Sequence, residues 1–260
     1  MPIYDSIGQQ YSKSRVPDSR IVKALIDLLN LPQGSVIADI GAGTGGYSRA
    51  IANQGFSVYA IEPSVVMRTQ AIDHPQVKWF NGYAESLPLP DSSVDAVISI
   101  LTIHHFSNLE KAFQQMHQVI KSGPIVLLTF DLRLAQKIWL YDYFPKMWED
   151  ALQFLELKDL AEIIRANTHR YVETFPLMLP DDLSDMFTAA AWKRPEMYLK
   201  PEVRAGISAF ALADASLIEQ GVKSLAADLS SGQWDAKYGE IRKLREIDIG
   251  YRFVRATLGQ

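Results

Sequence analysis

Along the first half of the chain, helical and strand-like apolar patterns alternate. "SRIVKALIDLLN" sets Ile21, Val22, Leu25, Leu28 and Leu29 on one face of a 3.6-residue period and predicts a helix. "SVIADI" follows as a short unbroken apolar run and reads as the first strand, with 41–45 as a loop and 46–53 as a helix. "SVYAIEP", "VKWFNG", "SVDAVISI" and "PIVLLTF" are runs of the same kind and read as strands two to five. Ser64 is placed to cap a helix that carries Val66 and Met67. Ser107-Asn108-Leu109-Glu110 has the letters of a capping box, ahead of a face made by Leu109, Ala112, Phe113, Met116 and Ile120. Strands separated by helices pair in parallel through right-handed crossovers, which predicts a doubly wound, Rossmann-like α/β sheet.

The second half reads differently. Residues 132–166 look mostly helical and are rich in large apolar side chains, among them Trp139, Tyr141, Tyr143, Phe144 and Trp148. "HRYVETFPLML" reads as a sixth strand, 180–247 as helical with breaks at Pro195, Pro201, Gly221 and Gly232, and "IDIGYRFVRATL" as a seventh strand. The expected fold class is thus α/β, a seven-stranded, mostly parallel sheet in one domain over 1–260. A helical insertion between its last two strands, 180–247, covers the substrate, and 1–30 forms an N-terminal helical lid. An insertion near the carboxyl ends of the strands lies where ligands bind in such sheets. Core packing is expected for most of the aromatics in 132–166, while Phe187, Trp192, Tyr198 and Phe210 are the bulk assigned to the cover.

Composition narrows the function. The 260 residues are 48% hydrophobic and carry a net charge of −4 without a basic block, so a nucleic-acid partner is not expected. The absence of cysteine excludes disulfides, cysteine-based zinc sites and a cysteine nucleophile. Charges dot the first thirty residues, and no apolar run reaches the roughly 20 residues of a membrane helix. The expectation is a soluble, cytoplasmic protein with no membrane partner.

The loop in "ADIGAGTGGYSRAIA" carries the chemistry. Its letters fit a dinucleotide fingerprint, Gly41-x-Gly43-x-x-Gly46, and also Asp39-x-Gly41-x-Gly43-x-Gly45. Glycines after a first strand let backbone approach a ligand, and Glu62 at the end of the second strand can accept from ribose hydroxyls. Asp39 favours one reading. Its carboxylate would repel a pyrophosphate but attract the ammonium of an amino-acid moiety. A cofactor with a ribose at one end and an amino acid at the other is S-adenosylmethionine.

"ADIGAGTGGYSRAIA", "VYAIEPSVVM", "NGYAESLPLPDSSVDAVIS" and "ILTIHHF", in that order and spacing, resemble the successive motifs of class I S-adenosylmethionine-dependent methyltransferases. The likeness spans about residues 36–130 and is nearest the small-molecule branch typified by ubiquinone-biosynthesis C-methyltransferases. "YDSIGQQYSKSR" resembles the N-terminal helix of that branch. The resemblance implies that Asp39, Gly41 and Gly43 line the methionine end, that Glu62 takes the ribose hydroxyls beside Pro63, and that Met67 lies against the adenine. It sets Ala84 and Glu85 at the adenine edge, while Tyr83 stands where many relatives have Asp. Tyr4, Tyr11 and Arg15 would close the pocket, with Arg15 matched by charge to the cofactor carboxylate; otherwise Arg15 is a solvated helix residue.

His104 and His105 follow the fourth strand, where the family's substrate side begins, and are the candidate proton acceptors, His104 placed slightly first. The bland alternative is a pair packed in the first turn of the next helix. His74 and His117 are assigned no function. "DDLSD", 181–185, matches the letters of a magnesium-diphosphate motif, but no second acidic motif accompanies it. Acids at a helix start are the ordinary reading, and no metal is assigned. The expected activity is methyl transfer to a small organic molecule; the lack of cysteine argues against arsenite as acceptor. An NAD-linked oxidoreductase and a non-catalytic S-adenosylmethionine-binding protein remain open alternatives.

Overall fold

A computed structural model describes residues 2–134 and 137–259. The predicted strands form β1 (Val36–Ile40), β2 (Ser57–Ile61), β3 (Val77–Phe80), β4 (Ala96–Ile100) and β5 (Ile125–Phe130). All five lie parallel, and β1 and β5 are almost wholly buried, as strands covered on both faces must be. β6 (Tyr171–Pro176) and β9 (Tyr251–Thr257) complete a seven-stranded sheet of order β3-β2-β1-β4-β5-β9-β6. β9 runs antiparallel to both neighbours. The direction of winding reverses between β1 and β4, so a crevice opens beyond their carboxyl ends, at the loops of the Asp39 and histidine motifs.

Two apolar layers enclose the sheet. One holds Ile21, Leu25 and Leu29 of the helix Ser19–Leu29, with Ile51 of Gly46–Ala52; the other holds Phe113 and Met116 of Leu109–Val119, with Leu160 and Ile164 of Leu157–Thr168. Asp18 caps the first of these helices by accepting from the Arg20 amide. That helix packs into the core, so of the expected lid only the turns Tyr4–Ile7 and Gly8–Lys13, with Arg15 beyond, reach the crevice.

Four local expectations are corrected. The cap of Leu109–Val119 is Asn108, whose side chain accepts from the Lys111 amide, because Ser107 is drawn away to Glu85. "HRYVETFPLML" is not one strand. β6 ends at Pro176, and Leu179–Pro180 forms β7, which pairs with β8 (Glu246–Ile247) in a separate two-stranded sheet. Proline cannot donate to a ladder, and β6 is an edge strand that tolerates one at its end. "DDLSD" opens no helix; 181–194 is a chain of turns. The first helix-like segment after it is Pro195–Leu199, and the longest is Ala215–Ser231. Finally, Trp192 and Tyr198, expected to serve a substrate cover, are fully buried in the apolar core, with Phe210 nearly so. Trp192 donates to the Leu179 and Pro180 carbonyls, and Tyr198 accepts from the Ala191 amide. No helix among the described residues is long and apolar enough to cross a membrane.

Candidate active site

The glycine loop turns through left-handed backbone at Gly41 (φ 76°) and Gly43 (φ 59°). A Cβ on Gly41 would sit 2.5 Å from the Thr102 hydroxyl oxygen, so that position has no room for one; at Gly43, where a Cβ would meet only the flexible end of Met67 at 3.3 Å, the left-handed backbone is what favours glycine. Four of the five amides of loop 41–45 are already occupied. Gly41 and Ala42 donate to the Ile61 carbonyl at 2.8 and 3.0 Å, Gly45 donates to Ala42, and Gly43 donates to Glu62 Oε2 at 2.9 Å. A pyrophosphate cradle needs such amides free; this loop commits the amides of Gly41, Ala42, Gly43 and Gly45 to the Ile61 and Ala42 carbonyls and to Glu62.

Asp39 and Glu62 supply the charge chemistry. Asp39 is 2% exposed and accepts from the Ser48 hydroxyl at 2.6 Å. Burial, reinforced by nearby Glu62, pushes its carboxyl up to about 7 against the pull of that hydrogen bond. Glu62 also accepts from the Ser64 amide at 2.9 Å, and burial raises its pKa despite its backbone donors. Both carboxylates stand in a desolvated pocket, where a cationic or hydroxyl-rich ligand would be welcome.

Three adjoining cavities meet here. A small one of about 40 Å³ is lined by Asp39, Gly41, Gly43, Tyr11 and Arg15. A second of about 130 Å³ is lined by Tyr11, Gly41, Gly43, Glu62, Pro63, Met67, Ala84 and Glu85. Together they bring in all ten residues expected to hold a cofactor. The third, about 300 Å³, is lined by His104 and His105 and by rings from distant parts of the chain, including Phe130, Tyr141, Phe154, Phe187 and Tyr251. Tyr4, Leu101 and His105 line both the second and third cavities and mark their junction.

The two histidines differ. His105 Nε2 lies 3.2 Å from the Tyr4 hydroxyl, and burial pushes its imidazole down to about 4. Of these three cavities His104 borders the third alone, wedged against Phe130 and Phe154 at centroid distances of 5.4 and 5.3 Å. Its Nδ1 is buried without a hydrogen-bond partner among the described residues. Burial first, then the neighbouring His105 and Arg15, hold it well below the ordinary range. The junction therefore belongs to His105, although the sequence placed His104 slightly first.

Arg15 is not a solvated helix residue. Its side chain is 11% exposed, with Nε and Nη2 donating to Asp185 at 2.6 and 3.3 Å. Tyr47 donates to the same carboxylate at 3.0 Å. Glu85 accepts from the Ser107 and Asn108 amides and the Ser107 hydroxyl, tying the second cavity's wall to the next helix. Tyr83 is exposed. The three acids of "DDLSD" go separate ways: Asp181 pairs with Lys193, Asp182 with Arg20, and Asp185 with Arg15.

Sequence reasoning missed Asp185 as a site residue and did not single out Leu101. Asp185 lies inside a motif weighed for metal and read as acids at a helix start. Leu101 shows no anomaly as a letter, yet it takes φ 53°, unusual for a branched side chain, at the junction itself.

A methyltransferase-domain family profile matches residues 38–128. The chain is 35% identical over 108 residues to an uncharacterized methyltransferase of a Geobacillus species, covering 39% of this chain and 51% of that protein. It is 35% identical over 150 residues to a ubiquinone/menaquinone biosynthesis C-methyltransferase of Rubrivivax gelatinosus, covering 47% of this chain and 60% of that protein. The chain thus spans between 51% and 60% of the length of these two curated relatives. A crystal structure from Anabaena variabilis, assigned as a methyltransferase from an antibiotic biosynthesis pathway, superposes with a TM-score of 0.93. It is 68% identical, over 94% of this chain and 99% of that one. Motif order, sheet order and this whole-length likeness agree: the chain belongs to the class I S-adenosylmethionine-dependent methyltransferases.

Proposed function

We propose that the protein methylates a small organic molecule held in the third cavity, with the cofactor spanning the first two and His105 as the proton acceptor. The observation that carries this reading is the meeting of the cavities at Tyr4, Leu101 and His105. A donor on one side and an acceptor on the other would face each other there. The donor set suits the cofactor: Asp39 for its ammonium, Glu62 for the ribose hydroxyls, and Pro63, Met67, Ala84 and Glu85 around the base. The occupied loop amides argue against a dinucleotide.

When bound, the cofactor supplies a methyl group on a sulfonium, whose C–S bonding pair stays with sulfur as the acceptor forms its new bond. The chain's own work is alignment, water exclusion and removal of a proton where the nucleophile carries one. His105 is neutral near pH 7, so it is free to take that proton, and Tyr4 orients its ring. The turns at 4–13 act as the lid and 180–247 as the cover; Phe187 and Ile207 of the cover reach the cavity wall. Arg15 is proposed for the cofactor carboxylate through N–H groups that Asp185 leaves over. Isothermal titration calorimetry with S-adenosylmethionine and with NADH tests the reading. Binding of the first and not the second is expected; the reverse overturns it. Release of S-adenosylhomocysteine in a screen of small acceptors distinguishes an enzyme from a mere cofactor binder.

A further inference from the structure

The wall of the third cavity also constrains what enters it, given the methyltransferase reading. Six phenylalanine and tyrosine side chains and both histidines line its roughly 300 Å³. They pack on one another edge to face: Phe130 against Phe154 at 5.6 Å and against Tyr251 at 6.0 Å. That mutual packing holds the wall in place and leaves a ring-lined slot. Its volume is at the lower end of the ligand pockets common in proteins, roughly 300–1,000 Å³.

Charge selects further. Each formally charged group on the wall has its own partner. Arg15 is gripped in a two-pronged pair by Asp185, with its third nitrogen 3.5 Å from the Gly206 carbonyl. Its guanidinium also lies 4.8 Å from the Tyr11 ring centre. Asp150 pairs with Lys146 on the outer surface. The histidines are neutral, and burial keeps Tyr4, Tyr141 and Tyr251 protonated. With Asp185 and the proposed cofactor carboxylate together occupying Arg15, a phosphate or carboxylate on the acceptor would lose its water and find no further cation. An ammonium would find no free carboxylate deep in the cavity.

We propose that the acceptor is an uncharged, ring-bearing molecule, recognised by the aromatic wall, and that the pairing of Arg15 with Asp185 makes the cavity reject charged analogues of the same shape. This departs from any acceptor anchored through a phosphate or diphosphate head group.

The test uses the intact protein loaded with S-adenosylhomocysteine and three probes built on one naphthalene ring: 1-naphthol, 1-naphthyl phosphate and 1-naphthylmethylamine. Calorimetry near pH 7 is expected to show 1-naphthol binding at least about tenfold more tightly than either charged probe, which corresponds to 1.4 kcal/mol or more. Equal or tighter binding of the phosphate or the amine overturns the proposal, as does failure of 1-naphthol to bind. Saturation with S-adenosylhomocysteine is checked first in the same instrument. Its failure would strike the methyltransferase reading instead, so the two cannot be confused.

Discussion

Asp39 and His105 sit on opposite sides of the proposed reaction and have been moved in opposite directions by the same cause. Burial raises the Asp39 carboxyl to about 7, so with no cation beside it the group is protonated below that pH. An ammonium placed against it favours the ionised form and lowers its pKa in the complex. Binding below about pH 7 must therefore expel a proton, so affinity should rise with pH and level off once Asp39 is already ionised. Titrations from about pH 5 to about pH 7.5, below the α-amino range, should show that slope, and Asp39→Asn should flatten it. A flat profile in the parent protein would place the ammonium elsewhere. His105 has been pushed down to about 4, so it stays neutral through the physiological range. His105→Ala should lower turnover about 10²–10⁴-fold with cofactor affinity intact. The acid limb of the pH–rate profile should lie nearer 4 than the unperturbed value of about 6.5. His104→Ala, which removes a ring wedged between Phe130 and Phe154, should act mainly on melting temperature. Full turnover in His105→Ala would leave positioning and water exclusion as the whole of the catalysis.

At the scale of elements, legibility followed the origin of each signal. Glycines in left-handed backbone, an acid ending a strand and a serine cap are local facts, so Gly41, Gly43, Glu62 and Ser64 could be read from letters alone. The partners of Arg15 and Glu85 could not. Each is held by a residue brought near only by the fold, Asp185 in one case and Ser107 in the other. The aromatic wall was equally hidden, since Phe130, Tyr141, Phe187 and Tyr251 lie on separate elements and share no period. The N-terminal turns illustrate a third situation. Four- and six-residue helices have little stability of their own. These are held by a few contacts: Ser64 donating to Asp5 at 2.6 Å, Gln70 donating to the Gly8 carbonyl at 2.8 Å, and Tyr4 meeting His105. A ligand filling the second cavity would add contacts to Tyr4 and Tyr11 from below. Amide exchange over 4–13 should therefore slow when S-adenosylmethionine is added, while exchange in β1 and β4 stays as it was. Equal protection with and without cofactor would mean that this segment does not act as a lid.

Across the whole molecule, one buried pair joins the two parts that flank the cofactor space. Arg15 belongs to the N-terminal segment and Asp185 to the turns after β7, and the two form an isolated antiparallel bridge as well as an ion pair. The Met186 amide donates to the Ser14 carbonyl at 3.1 Å, and Ser184 and Arg20 converge on Asp18. This seam closes the small cavity beside Asp39. Removing one partner of a buried pair strands the other charge, so Asp185→Ala should cost about 3–5 kcal/mol. For a domain of this size each kcal/mol lowers the melting temperature by roughly 2–4 °C, and calorimetric melting should show the loss. Replacing both partners with apolar residues of similar volume, Arg15→Met with Asp185→Leu, removes the stranded charge. Most of the stability should return. If the pair served stability alone, the double variant would bind S-adenosylmethionine as the parent does. Because Arg15 lines the small cavity and is proposed for the cofactor carboxylate, the double variant should instead fold well and bind the cofactor about tenfold or more weakly, the loss of one charge-assisted contact. Restored melting with unchanged affinity would remove Arg15 from the cofactor site and leave the seam as a structural tie.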